Sequence, residues 1–119
     1  MRLNDAQQEA VDYISGPCLV LAGAGSGKTR VITTKIVSLI KQHMFDPASI
    51  CAVTFTNKAA AEMKDRVKAQ LGGEIASKLS ISTFHSLGLN ILKEEYIALG
   101  LNKNFTLFDP YDSIKLIRD

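Results

Sequence analysis

Three short apolar runs punctuate the chain: Cys18 to Ala22, Ile50 to Phe55, and Leu79 to Thr83. Each is about strand length, aliphatic or β-branched and poor in charge, which predicts strands covered on both faces. Between them, apolar positions recur at helical spacing. Val31, Lys35 and Leu39, with Ile32, Ile36 and Ile40, outline one amphipathic helix. Ala60, Met63, Val67 and Leu71 outline a second, which Gly72-Gly73 ends. Strands alternating with helices of this length point to βαβ units and a parallel sheet.

The ends follow the same logic. Asn4 and Gln7 have the spacing of a capping box, opening a helix that turns Ala10, Val11 and Ile14 inward. Gly16-Pro17 breaks that helix before the first apolar run. After Phe84 the pattern turns helical through Leu87, Ile91, Leu92 and Tyr96, and Gly100 closes it. Asn102 to Pro110 reads as a loop, and Asp109 or Asp112 is placed to cap a last helix running to Asp119. Three parallel strands make a thin sheet and the final segment reads as interrupted, so a fragment of a larger protein is expected.

Composition narrows the class only slightly. The chain has 119 residues, 46% hydrophobic and 22% charged, an ordinary globular balance able to bury a core. A net charge of +2 is too small to argue for nucleic acid unless the charges are clustered. Cys18 and Cys51 lie in apolar runs with no secretory signal before them, which predicts reduced, buried thiols and a cytoplasmic protein. No apolar stretch approaches the ~18 residues that cross a bilayer, so no membrane attachment is expected. Repeats, low-complexity tracts and linkers are absent from the sequence.

The chemistry is concentrated in residues 22 to 29, Ala22-Gly23-Ala24-Gly25-Ser26-Gly27-Lys28-Thr29. They follow an apolar run and precede a helix, the context that makes a phosphate-binding loop credible. Gly23, Gly25 and Gly27 permit backbone torsions that turn successive N–H groups around phosphate oxygens. The helix starting near Lys28 aims its positive dipole end at the same anion. Lys28 supplies an ammonium for the β- and γ-phosphates, and Thr29 a hydroxyl for Mg²⁺. Ala22 stands where the pattern usually has Gly; that position needs a small residue more than a special torsion.

Three further segments carry a resemblance. Leu3-Asn4-x-x-Gln7-x-x-Ala10-Val11 resembles the Q motif of superfamily 1 DNA helicases. Residues 53 to 63, Val-Thr-Phe-Thr-Asn-Lys-Ala-Ala-Ala-Glu-Met, resemble their motif Ia, and Ser82-Thr83-Phe84-His85-Ser86-Leu87 resembles motif Ib. Order and spacing also fit the UvrD, PcrA and Rep group, across nearly the whole chain. Met1-Arg2-Leu3-Asn4, and Ala98-Leu99-Gly100 through Asn104-Phe105-Thr106-Leu107-Phe108-Asp109, favour one branch of that group.

The resemblance implies an α/β P-loop NTPase fold of the RecA-like type, a parallel sheet flanked by helices and incomplete here. Residues 1–88 would be the N-terminal part of the ATP-binding domain, and residues 89–119 the start of a helical insertion subdomain. It further implies a 3′→5′ translocase and ATP-dependent DNA helicase of replication and repair. ATP and Mg²⁺ would be its cofactors. Single-stranded and forked duplex DNA would be its substrates, with replication proteins as possible partners.

Residue by residue, the resemblance places the nucleotide at Gln7, at Ala22 through Thr29, and at Arg30. Gln7 would read the adenine edge, for which a carboxamide that donates and accepts is suited. Spacing alone explains it first as a capping glutamine, and the two roles are compatible. Arg30 could lie against base or ribose, or be a solvated helix-face arginine. Phe55, Thr56, Asn57 and Lys58, with Thr83, Phe84 and His85, would contact DNA at the carboxyl edge of the sheet, where ligands of parallel sheets bind. Aromatic platforms there suit sequence-independent binding of single strands. Taken alone, Phe55 reads as a core aromatic, Lys58, Lys64, Arg66 and Lys68 as a solvated face, and His85 as a structural hydrogen-bonder.

Hydrolysis also needs an acid for Mg²⁺, a residue to orient water, and usually an arginine. Glu94-Glu95 falls in a helical stretch and does not fit that need. The 119 residues alone are therefore expected to hold ATP without turning it over. A small-molecule kinase and a single-stranded DNA-binding module remain the rival classes.

Overall fold

The structure, a computed structural model, describes residues 2–23, 27–106 and 110–118, with side chains for all of these but 110–112. It divides into two compact units, residues 1–84 and 85–119.

The first unit begins with helix α1 (Asp5–Asp12). The anticipated capping box is formed: the Gln7 N–H donates to Asn4 Oδ1 at 2.8 Å, and the Asn4 N–H donates to Gln7 Oε1 at 2.9 Å. The helix stops at Asp12, short of Gly16-Pro17. Val11 is buried and Ala10 half-buried, but Ile14 lies beyond the helix and is exposed.

Cys18 to Ala22 does not form the expected strand. Among the described residues it pairs with nothing, and Leu19 and Leu21 are more than four-fifths exposed. An apolar run becomes a strand only when a neighbour accepts its backbone hydrogen bonds, and no described segment offers that. Cys18 is consequently exposed. Cys51 is exposed as well, at the first position of its strand, which corrects the expectation of buried thiols.

Helix α2 (Lys28–Lys41) packs against α1 and turns Val31 and Ile36 inward, while Ile32 is exposed. A short 3₁₀ turn at Pro47–Ser49, capped by Asp46, leads into β1 (Cys51–Thr54). Helix α3 (Asn57–Leu71) follows and ends at Gly72, whose φ of 88° suits glycine. A further helix, α4 (Gly73–Lys78), was not anticipated; it starts directly after that glycine and has no side-chain cap. Strand β2 (Ser80–Thr83) then returns beside β1.

The two strands are parallel and in register, Cys51 opposite Ser80 through Thr54 opposite Thr83. Helix α3 packs on both strands. In β2, buried Ile81 and Thr83 alternate with less buried Ser80 and Ser82, the period-two signature of a strand covered on one face. Coverage on both faces is therefore not reached among the described residues. The core gathers Ile36, Met63, Val67, Leu79 and Ile81, with Ile40, Ile50, Ala52, Leu71 and Ala76 around them. Thr33 and Ser38 enter α2's buried side by local bonding. The Thr33 hydroxyl donates to the Thr29 carbonyl at 2.8 Å, and the Ser38 hydroxyl to Gln42 Oε1 at 3.2 Å.

Helix α5 (Phe84–Glu95) starts at the last residue of the first unit. In the second unit it is followed by a turn that closes at Gly100 with φ 71°. Tyr96 belongs to that turn, and its carbonyl accepts from the Leu101 N–H at 2.9 Å. Helix α6 (Pro110–Arg118) completes the unit. Asp112 sits within α6 and so does not cap it, and Asp109 lies outside the described residues.

Candidate nucleotide and nucleic-acid sites

Helix α2 starts where the sequence places it, directly after Gly27. That glycine adopts φ 81°, ψ 28°, a left-handed conformation that costs a side-chain-bearing residue steric strain. Among the described residues no side chain caps the helix, and its first turn carries no acid. The first N–H groups of any helix lack intrahelical acceptors, and its N-terminus is electropositive. With neither cap nor carboxylate in competition, this end of α2 is suited to an anion. Lys28 is exposed and Thr29 half-buried at the same end. Ala22 and Gly23 are exposed, while Ala24, Gly25 and Ser26 lie outside the described residues.

Gln7 is brought to this loop from α1. A Cβ built at Gly27 would stand 3.3 Å from Gln7 Nε2, a tight contact that the end of the Gln7 side chain would have to yield to by a few tenths of an ångström. Meanwhile Gln7 Oε1 accepts from the Asn4 N–H. Gln7 thus makes the capping bond and also stands beside Gly27.

Arg30 is half-buried and lines a shallow groove between α2 and α3 with Thr33, Thr34, Arg66, Ala69 and Gln70. The guanidinium of neither Arg30 nor Arg66 has a hydrogen bond or ion pair among the described residues. The α3 basic residues Lys58, Lys64, Arg66 and Lys68 are all exposed.

The second cluster forms at the carboxyl edge of the sheet. Phe55 follows β1 and Phe84 follows β2. Because Thr54 and Thr83 are register partners, the two phenylalanines leave the sheet side by side. Their ring centroids are 5.5 Å apart with planes inclined at 46°, a favourable tilted geometry for an aromatic pair. Phe55 is 87% exposed and Phe84 51% exposed. Phe55 is therefore not a core aromatic. Thr56 caps α3, its hydroxyl accepting from the Ala59 N–H at 3.0 Å, and leaves Asn57 and Lys58 exposed on the first turn. Thr83 is buried, so its side chain presents no open face. His85 follows Phe84 in the chain, is exposed, and belongs to the second unit.

Lys35 falls in the apolar stripe of α2, yet its ammonium donates to the carbonyls of Ala10 at 2.9 Å and Tyr13 at 2.6 Å. Its partners stand 25 and 22 residues away, and helical spacing carries no signal for so distant a contact. No group of three or more potential metal ligands occurs among the described residues, and no described helix is long and apolar enough to cross a membrane.

The structure therefore places the start of α2 after Gly27, Gln7 beside that glycine, and the Phe55–Phe84 pair at the sheet edge. Residues 3–119 match the UvrD/REP helicase N-terminal domain, and the chain belongs to that family. It is 60% identical over all 119 residues to the ATP-dependent DNA helicase Rep of Escherichia coli K12, and equally to Rep of Salmonella typhimurium LT2. Over 117 residues it is 46% identical to the ATP-dependent DNA helicase PcrA of Staphylococcus aureus. The chain spans 18% of the length of these Rep proteins and 16% of PcrA. The branch favoured by the opening residues and by the segment from Ala98 is thus the one with the higher identity of the two.

Proposed function

We propose that this chain is the N-terminal, ATP- and DNA-contacting part of a cytoplasmic 3′→5′ DNA helicase that translocates on single-stranded DNA in replication and repair. Residues 1–88 form the first part of a RecA-like ATP-binding domain, and residues 89–119 open a helical insertion. What carries this proposal is that a helix starting after a left-handed Gly27, at the Gly-Lys-Thr sequence, and an exposed aromatic pair belong to one compact unit. The family membership and the names of the relatives support it.

In the working site, backbone N–H groups from Ala22 through Thr29 hold the triphosphate. Lys28 neutralises its β- and γ-phosphates and Thr29 offers a hydroxyl to Mg²⁺. Gln7 reads the adenine edge and Arg30 flanks the base or ribose. Phe55 and Phe84 present rings on which bases of a single strand stack, while Thr56, Asn57 and Lys58 border its backbone. Thr83 would act there through its main chain, since its side chain is buried, and for His85 the proposal rests on the motif alone. Residues outside this chain supply the acid and the arginine that hydrolysis needs. Forked duplex DNA is the substrate of the whole motor.

The test is ATP turnover by the full-length protein with and without a single-stranded oligonucleotide. A helicase motor hydrolyses ATP faster when the strand is present. Turnover indifferent to DNA but dependent on a small-molecule acceptor would make the protein a kinase. Binding of the strand with no response to ATP would make it a DNA-binding module.

A further inference from the structure

Helix α1 ends without a basic residue in its last turn. Its final carbonyls therefore carry the negative end of the helix dipole with no local cation to meet it. The cation comes from α2. Lys35 is half-buried, and its Nζ donates to the carbonyls of Ala10 and Tyr13 at 2.9 and 2.6 Å. At the other end of the same pair of helices, Gln7 Nε2 lies against Gly27, the residue before α2. The two contacts occur in the same order along both helices, Gln7 with Gly27 and then Ala10 and Tyr13 with Lys35. Helix α1 is thus bonded to α2 through Lys35 and approaches the start of α2 at Gln7.

Spacing ties Lys35 to the loop. Lys28 and Lys35 are seven residues apart on α2, about two turns, and so share one face of that helix. A side chain on that face can set where α1 lies along α2, and with it where the Gln7 carboxamide stands relative to the loop.

We infer that Lys35 is a positioning residue for nucleotide selection: its ammonium, bound to the α1 carbonyls, holds Gln7 beside Gly27, where it discriminates adenine. This rests on the proposed role of Gln7 as the adenine-reading residue. Lys35 touches neither phosphate nor base. It acts through the placement of α1.

The experiment compares Lys35→Met, Lys35→Arg, Gln7→Ala and the Gln7→Ala/Lys35→Met double variant in the full-length protein, measuring DNA-stimulated turnover of ATP and of GTP. Lys35→Met is expected to raise the KM for ATP about tenfold, the scale of a lost hydrogen bond to a charged group, with kcat at saturating ATP nearly unchanged. Preference for ATP over GTP should fall by a similar factor. Lys35→Arg, which keeps a cation and two donors, should restore both. The double variant should be no worse than Gln7→Ala, because both changes disable one device.

If Lys35→Met keeps the wild-type KM and base preference while Gln7→Ala loses them, the positioning role is overturned and the adenine role of Gln7 survives. Effects of the two changes that add in full would overturn it as well. If Gln7→Ala itself leaves base preference intact, the adenine role fails and the role of Lys35 falls with it. Should Lys35→Met melt below the assay temperature, Lys35→Gln, whose amide can still donate to one carbonyl, is read in its place against the same outcomes.

Discussion

The rings of Phe55 and Phe84 pair at 5.5 Å because their strands are parallel and in register up to Thr54 and Thr83. The pair is thus fixed by the sheet, while the outer surface of Phe55 remains open to solvent. In the proposed stacking role, a pair already set side by side by the sheet would limit the ordering cost of binding.

Replacing Phe55 with Ala should leave stability nearly untouched, since the side chain is 87% exposed. Stacking on an aromatic contributes about 1–3 kcal/mol per base, so affinity for single-stranded DNA should fall by about five- to a hundredfold. In the full-length protein, DNA-stimulated ATP turnover should drop more than basal turnover. Equal losses of both would count against stacking.

Lys28→Ala addresses the phosphate loop. The exposed ammonium makes no contact that the fold depends on, and its proposed task is charge neutralisation on the transferred phosphoryl group. ATP turnover should be abolished while binding of a labelled oligonucleotide is largely retained. Turnover that survived the change would refute the loop assignment.

Gly27→Ala should be damaging out of proportion to one methyl group. The φ of 81° costs a non-glycine residue about 1–2 kcal/mol, and the new Cβ would stand 3.3 Å from Gln7 Nε2. Nucleotide titration should show weakened ATP binding with the helical circular dichroism signal preserved. Unchanged ATP affinity would mean that the Gly27–Gln7 approach has no part in binding.

Val67 marks the centre of the core: it is fully buried on α3 and clusters with Ile36, Met63, Leu79 and Ile81. Val67→Ala should destabilise the first unit by about 2–3 kcal/mol, combining lost transfer energy with a residual cavity. Urea titration would read this as a lower midpoint at unchanged slope. A shift near zero would mean that neighbouring side chains collapse into the space.

By itself the sequence determined what depends on near neighbours. The Asn4–Gln7 capping box, the start of α2 after Gly27 and the stop of α3 at Gly72 follow from torsions and hydrogen bonds that span only a few residues. Motifs of consecutive residues are legible for the same reason, and with them the helicase family.

Tertiary structure decided whatever needed a distant partner. Cys18 to Ala22 has the composition of a strand, but a strand is a pairing, and no described segment pairs with it. The same cause left Cys18 exposed where burial was expected. Phe55 looked like a core residue because hydrophobicity does not say which way a side chain leaves the sheet. Only the register of β1 against β2 turned it outward beside Phe84. Lys35 stood unnoticed in an apolar stripe, because its two acceptors lie more than twenty residues earlier, at the end of another helix. Periodicity reports the face of an element. What that face meets is fixed only when the elements pack.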